Sequence, residues 1–234
     1  MTDFYIGTAG WSYLRWDKEF YPEGLSAEQK LAFYATKFNA VELNNSFYHT
    51  PKAEQFLAWE AQVPKHFRFA VKASRYITHT KRLRAPEETV PRFAEALALR
   101  KKHGPVLFQL PPRFTRDLER LEQFLKQLPK GERYAIELRD PSWQDEAVYR
   151  LLRQHKVAFC LFDTPEGASP RLLTTDYAYV RLRGRAGRGL TPYLKEWRAW
   201  LDAHCSTAYV FFDNREEKRL AFGNALRLRE IVET

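Results

Sequence analysis

The chain has 234 residues, with 38 Lys and Arg against 29 Asp and Glu, a formal net charge of +9, and two Cys. A hydrophobic share of 44% and a charged share of 29% are those of an ordinary globular protein, which excludes a disordered, collagen-like or low-complexity chain. Two cysteines are too few for a disulfide framework or a four-cysteine zinc site, so Cys160 and Cys205 read as reduced thiols.

The N-terminus lacks the basic segment and long apolar run of a secretory signal. No apolar run nears the roughly 20 residues that cross a bilayer. The expectation is one cytoplasmic domain over residues 1–234 with no membrane partner. A basic surface attracts nucleic acid or acidic substrates, but overall charge alone is weak evidence for either.

Short β-type runs alternate with helical periods along the chain. The first strand is expected at 4–8. Ser26 and Gln29 form a capping box, and the helix that follows places Leu31, Tyr34, Ala35 and Phe38 on one face. The second strand is expected at 40–44, a helix over 53–62, and the third strand at 67–73. Val90, Phe93, Ala94 and Leu97 mark another helix, and 105–110 the fourth strand. Thr115 is read as the cap of a helix that buries Leu118, Leu121, Leu125 and Leu128. The fifth strand is expected at 134–138, followed by a helix carrying Val148, Leu151 and Leu152, and the sixth at 157–162. Pro165, Gly167 and Pro170 then leave no helical pattern, so the sixth unit reads as degenerate. A seventh strand at 177–182, a helix with Leu194, Trp197 and Leu201, an eighth strand at 208–212 and a last helix complete the order. Strict alternation implies parallel βαβ units. The fold class is α/β, a single (β/α)8 TIM-like barrel; an open doubly wound sheet is the alternative.

Parallel strands buried on both faces should be almost wholly apolar. Here the exceptions line up. Side chains alternate along a strand, so Glu42 and Asn44 share an inward face, as do Ala70 and Lys72, Glu137 and Arg139, and Arg181 and Arg183. Gln109 is the last inward residue of its strand, while Asp163 and the pair Asp213–Asn214 end theirs. These groups gather at the carboxyl ends of the strands, where barrel active sites sit. The alternative is a polar plug in which the cations and carboxylates only neutralise one another.

Several motifs carry a resemblance. Ile6-Gly7-Thr8-Ala9-Gly10-Trp11-Ser12-Tyr13 with Phe20-Tyr21-Pro22 resembles the N-terminal signature of the YecE-like family, a domain family of unknown function. Val41 to Tyr48, Phe69 to Ala73 with Thr78-His79, and Leu107 to Pro112 are similar to further motifs of that family. So are Glu137-Leu138-Arg139 with Ser142-Trp143, Tyr179 to Leu182, and Phe211 to Asn214 with Asn224-Ala225. The likeness runs from about residue 4 to 228. The family pattern has His-Gly where this chain has Arg183-Gly184. The resemblance implies a TIM-like barrel and no established activity, substrate or cofactor.

The inward set suits acid–base chemistry, with Glu137, Lys72 and Glu42 as the catalytic candidates. Arg181 to Gly189 packs four arginines and three glycines, a combination that favours an anion. Asn44, Gln109, Arg139, Arg181, Arg183 and Asn214 are the polar candidates for holding a substrate; Trp11, Tyr48, His79 and Trp143 are candidates from the loops. Aromatics beside cations stack sugars or bases, although loop packing alone would also use them. Glu42, Glu137, Asp163 and Asp213 could ligate Mg²⁺ or Mn²⁺, but cations line the same ring and oppose a metal. No dinucleotide or P-loop glycine pattern occurs, so no cofactor is expected. Three functions remain open: an enzyme for a small anionic or phosphorylated, sugar-like molecule; a nucleic-acid protein using Lys81-Arg82-Leu83-Arg84, Arg100-Lys101-Lys102 and the arginine loop; and a non-catalytic binding barrel.

Overall fold

A computed structural model describes residues 1–47, 51–84, 88–90, 93, 102–213 and 220–234. In chain order the elements are β1 (Asp3–Thr8), α1 (Ala27–Lys37), β2 (Ala40–Leu43), α2 (Ala53–Ala61), β3 (Arg68–Lys72) and β4 (His103–Gln109). Then come α3 (Leu118–Lys126), β5 (Tyr134–Glu137), α4 (Glu146–Gln154), β6 (Val157–Phe159), β7 (Leu161–Thr164) and β8 (Gly167–Ala168). The chain ends with β9 (Tyr177–Leu182), α5 (Leu190–His204), β10 (Thr207–Phe212) and α6 (Leu220–Glu233). This is an α/β fold with parallel sheets. One sheet has the order β1-β10-β9-β7-β8 and the other β2-β3-β4-β5-β6. Only the β7–β8 pair is antiparallel among the described pairings.

Local sequence explains most boundaries. Both bonds of the Ser26–Gln29 capping box form, and α1 buries Leu31 and Tyr34. Thr115 does not cap α3. The Asp117 carboxylate does, accepting from the Arg120 amide at 3.0 Å, because an anion beside the free N–H groups of a helix start outcompetes a hydroxyl two residues upstream. The expected helix at Val90–Leu97 lies largely outside the described residues; Val90 and Phe93 are buried.

The two sheets meet along residues 157–164. β6 pairs with β5 and β7 with β9, and Cys160 is the one residue between them. No helix follows β7, so the expectation of a degenerate sixth unit holds. In its place β8 folds back on β7, and two side chains satisfy the strand backbone. Ser169 Oγ accepts from the Phe162 amide at 2.9 Å, and Thr174 Oγ1 accepts from the Phe159 amide at 2.8 Å.

Between β1 and β2 the ladder is reduced to a parallel bridge, Ala9 to Glu42, and side chains stand in for the rest. Asn39 accepts from the Ile6 amide and donates to the Phe4 carbonyl, both at 2.7 Å. The Tyr34 hydroxyl accepts from the Thr8 amide at 2.8 Å and reaches the Ala40 carbonyl at 3.2 Å.

Two apolar clusters result. The larger lies between strands and helices. The smaller fills the inner face, where Ala40, Ala70, Ala135 and Ala158 of one sheet oppose Tyr177, Tyr179, Tyr209 and Phe211 of the other. Small residues on one side make room for rings on the other, which is how an interior reaches crystal-like packing density. A β-carbon added at Gly7 would lie 1.9 Å from the Ala40 carbonyl oxygen and 2.8 Å from the Tyr34 hydroxyl. Gly7→Ala is therefore expected to destabilise the protein by about 2 kcal/mol or more in urea unfolding. Tyr34→Phe, which strands the Thr8 amide, is expected to cost about 1–3 kcal/mol in the same measurement.

Candidate active site

The alternation of side chains along each strand carries Glu42, Gln109, Glu137, Tyr179 and Arg181 to the inner face, all of them buried. Arg181 is the hub. Its Nε and Nη2 each donate at 3.0 Å to a different oxygen of Glu42. Its Nη1 donates to Glu137 at 2.8 Å and its Nη2 also to Asp213 at 3.3 Å. Glu42 accepts a further bond from the Tyr179 hydroxyl at 2.7 Å. Glu137 accepts from Gln109 Nε2 at 2.8 Å and from Arg139 Nε at 2.5 Å.

These pairings decide the charge states. Burial pushes the Glu137 carboxyl up, but the Arg181 and Arg139 charges and the Gln109 and Arg139 hydrogen bonds outweigh it and hold the group at about 2. Glu137 is thus a carboxylate at neutral pH. Burial disfavours the Arg181 charge, yet Glu42, Glu137 and Asp213 raise its pKa well above the usual guanidinium value. Burial pushes the Cys160 thiol and the Tyr179 phenol up, so both stay neutral.

Lys72 is buried on β3 with its Nζ 4.4 Å from the centre of the Phe47 ring. His79 packs edge-on with the same ring at 4.9 Å between centroids and lies 2.9 Å, through Nδ1, from the Thr78 hydroxyl. Asn44 and Trp11 line a separate cavity of about 80 Å³, where Trp11 packs edge-on against Trp59 at 5.1 Å. Asn44 donates to the Ala9 carbonyl at 3.3 Å, and its Oδ1 is buried without a partner among the described residues.

Trp143 does not face a ligand. It is wholly buried, its Nε1 donates to the Phe114 carbonyl at 2.5 Å, and it fastens one loop to the next. The packing demand of a large ring removed it from the mouth. Tyr48 and Asn214 lie outside the described residues. Arg181 is inward as expected, but its nitrogens are committed to carboxylates. Lys102 is likewise committed, donating to the carbonyls of Glu60 and Val63.

Two arginines keep capacity. Arg139 uses only Nε, and its terminal nitrogens bond no protein group among the described residues. It lines a cavity of about 340 Å³ together with Pro112, Gln144, Phe162, Thr164 and Glu166. The Arg183 side chain is 8% exposed, pairs through Nη2 with Glu166, and has a buried Nε without a partner among the described residues. Arg185 and Arg188 are exposed. Tyr179, Gln144 and Glu166 escaped the sequence-based site, and Asp213 figures in the sequence only as a strand end and a possible metal ligand. Tyr179 shares its strand face with Arg181, two residues on, and that parity was a usable signal; Glu166 sits in an irregular turn that carries none.

Among the described residues no three His, Cys, Asp or Glu side chains gather into a metal-ligating group, and no helix is long and apolar enough to cross a membrane. The depressed Glu137 pKa has a consequence for stability. A carboxylate whose folded pKa lies below its ordinary 4.5 stabilises the fold fully above that value, and the contribution is lost as pH falls toward about 2. Urea unfolding between pH 6 and pH 2 should therefore show a steep loss for the wild type and a shallower one for Glu137→Gln. At pH 7 the same variant should be less stable by about 3 kcal/mol, since Arg181 and Arg139 lose a buried counter-charge.

Comparison with known proteins places the chain. Residues 5–234 match the family model described as "Protein of unknown function DUF72". The chain is 32% identical over 167 residues to the UPF0759 protein YecE of Escherichia coli K12, a stretch covering 68% of this chain and 59% of that protein. It is 27% identical over 251 residues to the UPF0759 protein YunF of Bacillus subtilis, covering 90% and 88% of the two chains. A DUF72 family protein from Thermotoga maritima superposes with a TM-score of 0.86 at 29% identity, covering 99% of this chain and all of that one. With a match that spans nearly its whole length, this chain belongs to the DUF72 family.

Proposed function

We propose that the chain is an enzyme whose parallel strands close into a (β/α)8 barrel, with an active site at their carboxyl ends for a small anionic or phosphorylated molecule. Three features support closure: the segment shared by both sheets, the Ala9–Glu42 bridge, and an inner cluster drawn from both sheets. The chain also has the fold of a β-mannanase from the blue mussel Mytilus edulis, at a TM-score of 0.51 and 10% identity, a likeness that bears on the fold alone.

The observation that carries the substrate class is Arg139. Its Nε is anchored by Glu137, its terminal nitrogens bond no protein group among the described residues, and the residue lines the cavity. Such a fork matches the two oxygens of a carboxylate or phosphate. Glu137, held ionised at about 2 by Arg181, Arg139 and Gln109, is suited to oppose a developing positive charge rather than to donate or take up a proton. Glu42 and Lys72 are further buried charges of the inner face, outside the lining of that cavity. The proposal involves no cofactor.

A thermal-shift screen of phosphorylated metabolites, with inorganic phosphate as reference, tests this reading. Stabilisation of the wild type that Arg139→Gln abolishes is the expected result, and equal stabilisation of both proteins contradicts it. With a substrate in hand, Glu137→Gln should lower turnover by at least about 10²-fold. A loss within about tenfold removes Glu137 from the chemistry.

A second reading rests on the rim. Arg75, Lys81, Arg82, Arg84 and Arg113 are exposed on the successive loops that follow β3 and β4. A row of cations at one mouth fits a nucleic-acid backbone. Fluorescence anisotropy with short single-stranded RNA supports that reading only if log K falls linearly with log salt and Lys81→Ala with Arg82→Ala reduces the slope.

A further inference from the structure

Glu166 stands out in the cavity beside Arg139. It occupies the tight turn between β7 and β8, is 68% exposed, and reaches across to Arg183. The Arg183 side chain is 8% exposed, so the pair joins a buried cation to a solvated anion. That asymmetry matters. A carboxylate already in water gives up a single ion pair at little cost, whereas the buried guanidinium needs some counter-charge at all times. The pair is also incomplete, because Arg183 Nε is buried without an acceptor among the described residues. Asp163, whose backbone carbonyl accepts from the Arg183 amide at 2.9 Å, has its carboxylate engaged elsewhere. It accepts from the Tyr193 hydroxyl at 2.9 Å and lies 3.9 Å from Arg185.

We propose that Glu166 is a built-in competitor for the substrate anion. It holds Arg183 in the empty site and surrenders it to an incoming phosphate monoester, which Arg139 and Arg183 then grip from two sides. The inference rests on the proposed anion site and adds the residue that sets its selectivity. The donor count favours a phosphate over a carboxylate. With Glu166 displaced, Arg183 has no carboxylate partner among the described residues, and Arg139, paired with Glu137 through Nε, keeps its terminal nitrogens unused. A phosphate monoester offers three oxygens to these donors where a monocarboxylate offers two.

Titration of the intact protein with inorganic phosphate and with acetate, read by calorimetry, tests this. Glu166→Gln removes an exposed charge and keeps the side-chain shape, so the fold should persist; circular dichroism checks it. This variant should bind phosphate at least about fivefold more tightly than the wild type, and acetate little more tightly. Arg183→Gln should weaken phosphate binding about tenfold, and the double variant should show no gain from Glu166→Gln. Should Arg183→Gln fail to fold, Arg183→Lys, which keeps the charge but loses the fork, should abolish most of the gain. Phosphate affinity of Glu166→Gln within twofold of the wild type, or a gain that survives loss of Arg183, overturns the proposal. Arg139→Gln separates the two readings. If it binds phosphate as the wild type does while Glu166→Gln still tightens binding, the Arg139 reading fails and Glu166 stands; the reverse pattern sinks Glu166 alone.

Discussion

A guanidinium taken out of water must find its counter-charge inside the protein, and Arg181 finds three: Glu42 on β2, Glu137 on β5 and Asp213 after β10. Those partners come from both sheets. The hub therefore does more than neutralise itself, because it fixes where the carboxyl ends of distant strands lie relative to one another. Two of the carboxylates are in turn bonded by neutral donors, Tyr179 on Glu42 and Gln109 on Glu137. A network so fully satisfied has one low-energy arrangement, and any partial loss leaves a charge stranded in a dry interior.

That saturation divides the mouth into groups that hold the structure and groups left for chemistry. Arg181 belongs to the first kind. The polar-plug reading therefore describes the centre of the ring correctly. It does not describe the edge, where Arg139 is tied to the plug by Nε alone, keeps terminal nitrogens that bond no protein group among the described residues, and lines a cavity.

The cavity exists because a helix is missing. Between β7 and β9 the chain makes a two-residue strand and an irregular return, tied down by Ser169 and Thr174 where a helix would otherwise cover the sheet. Pro165, Gly167 and Pro170 prevent a helix there. The open space beside Arg139 and the turn that carries Glu166 both follow from that departure.

What the sequence determined by itself is set by short-range rules. Period-2 alternation placed Glu42, Lys72, Gln109, Glu137 and Arg181 on the inner face, and the order of elements, the capping box at Ser26 and the degenerate sixth unit were all legible from neighbouring residues. What only the tertiary structure decided is who pairs with whom. Arg181 meets Glu42 across 139 positions of chain, and no local pattern says that it will take three carboxylates and leave Arg139 with a free edge. The same holds for Trp143, which is aromatic and close to the mouth in sequence yet wholly buried, and for Glu166, which is unremarked in sequence yet paired with Arg183. Residue type and spacing determine the face a side chain takes; its partners depend on distances that arise only when remote strands are brought side by side.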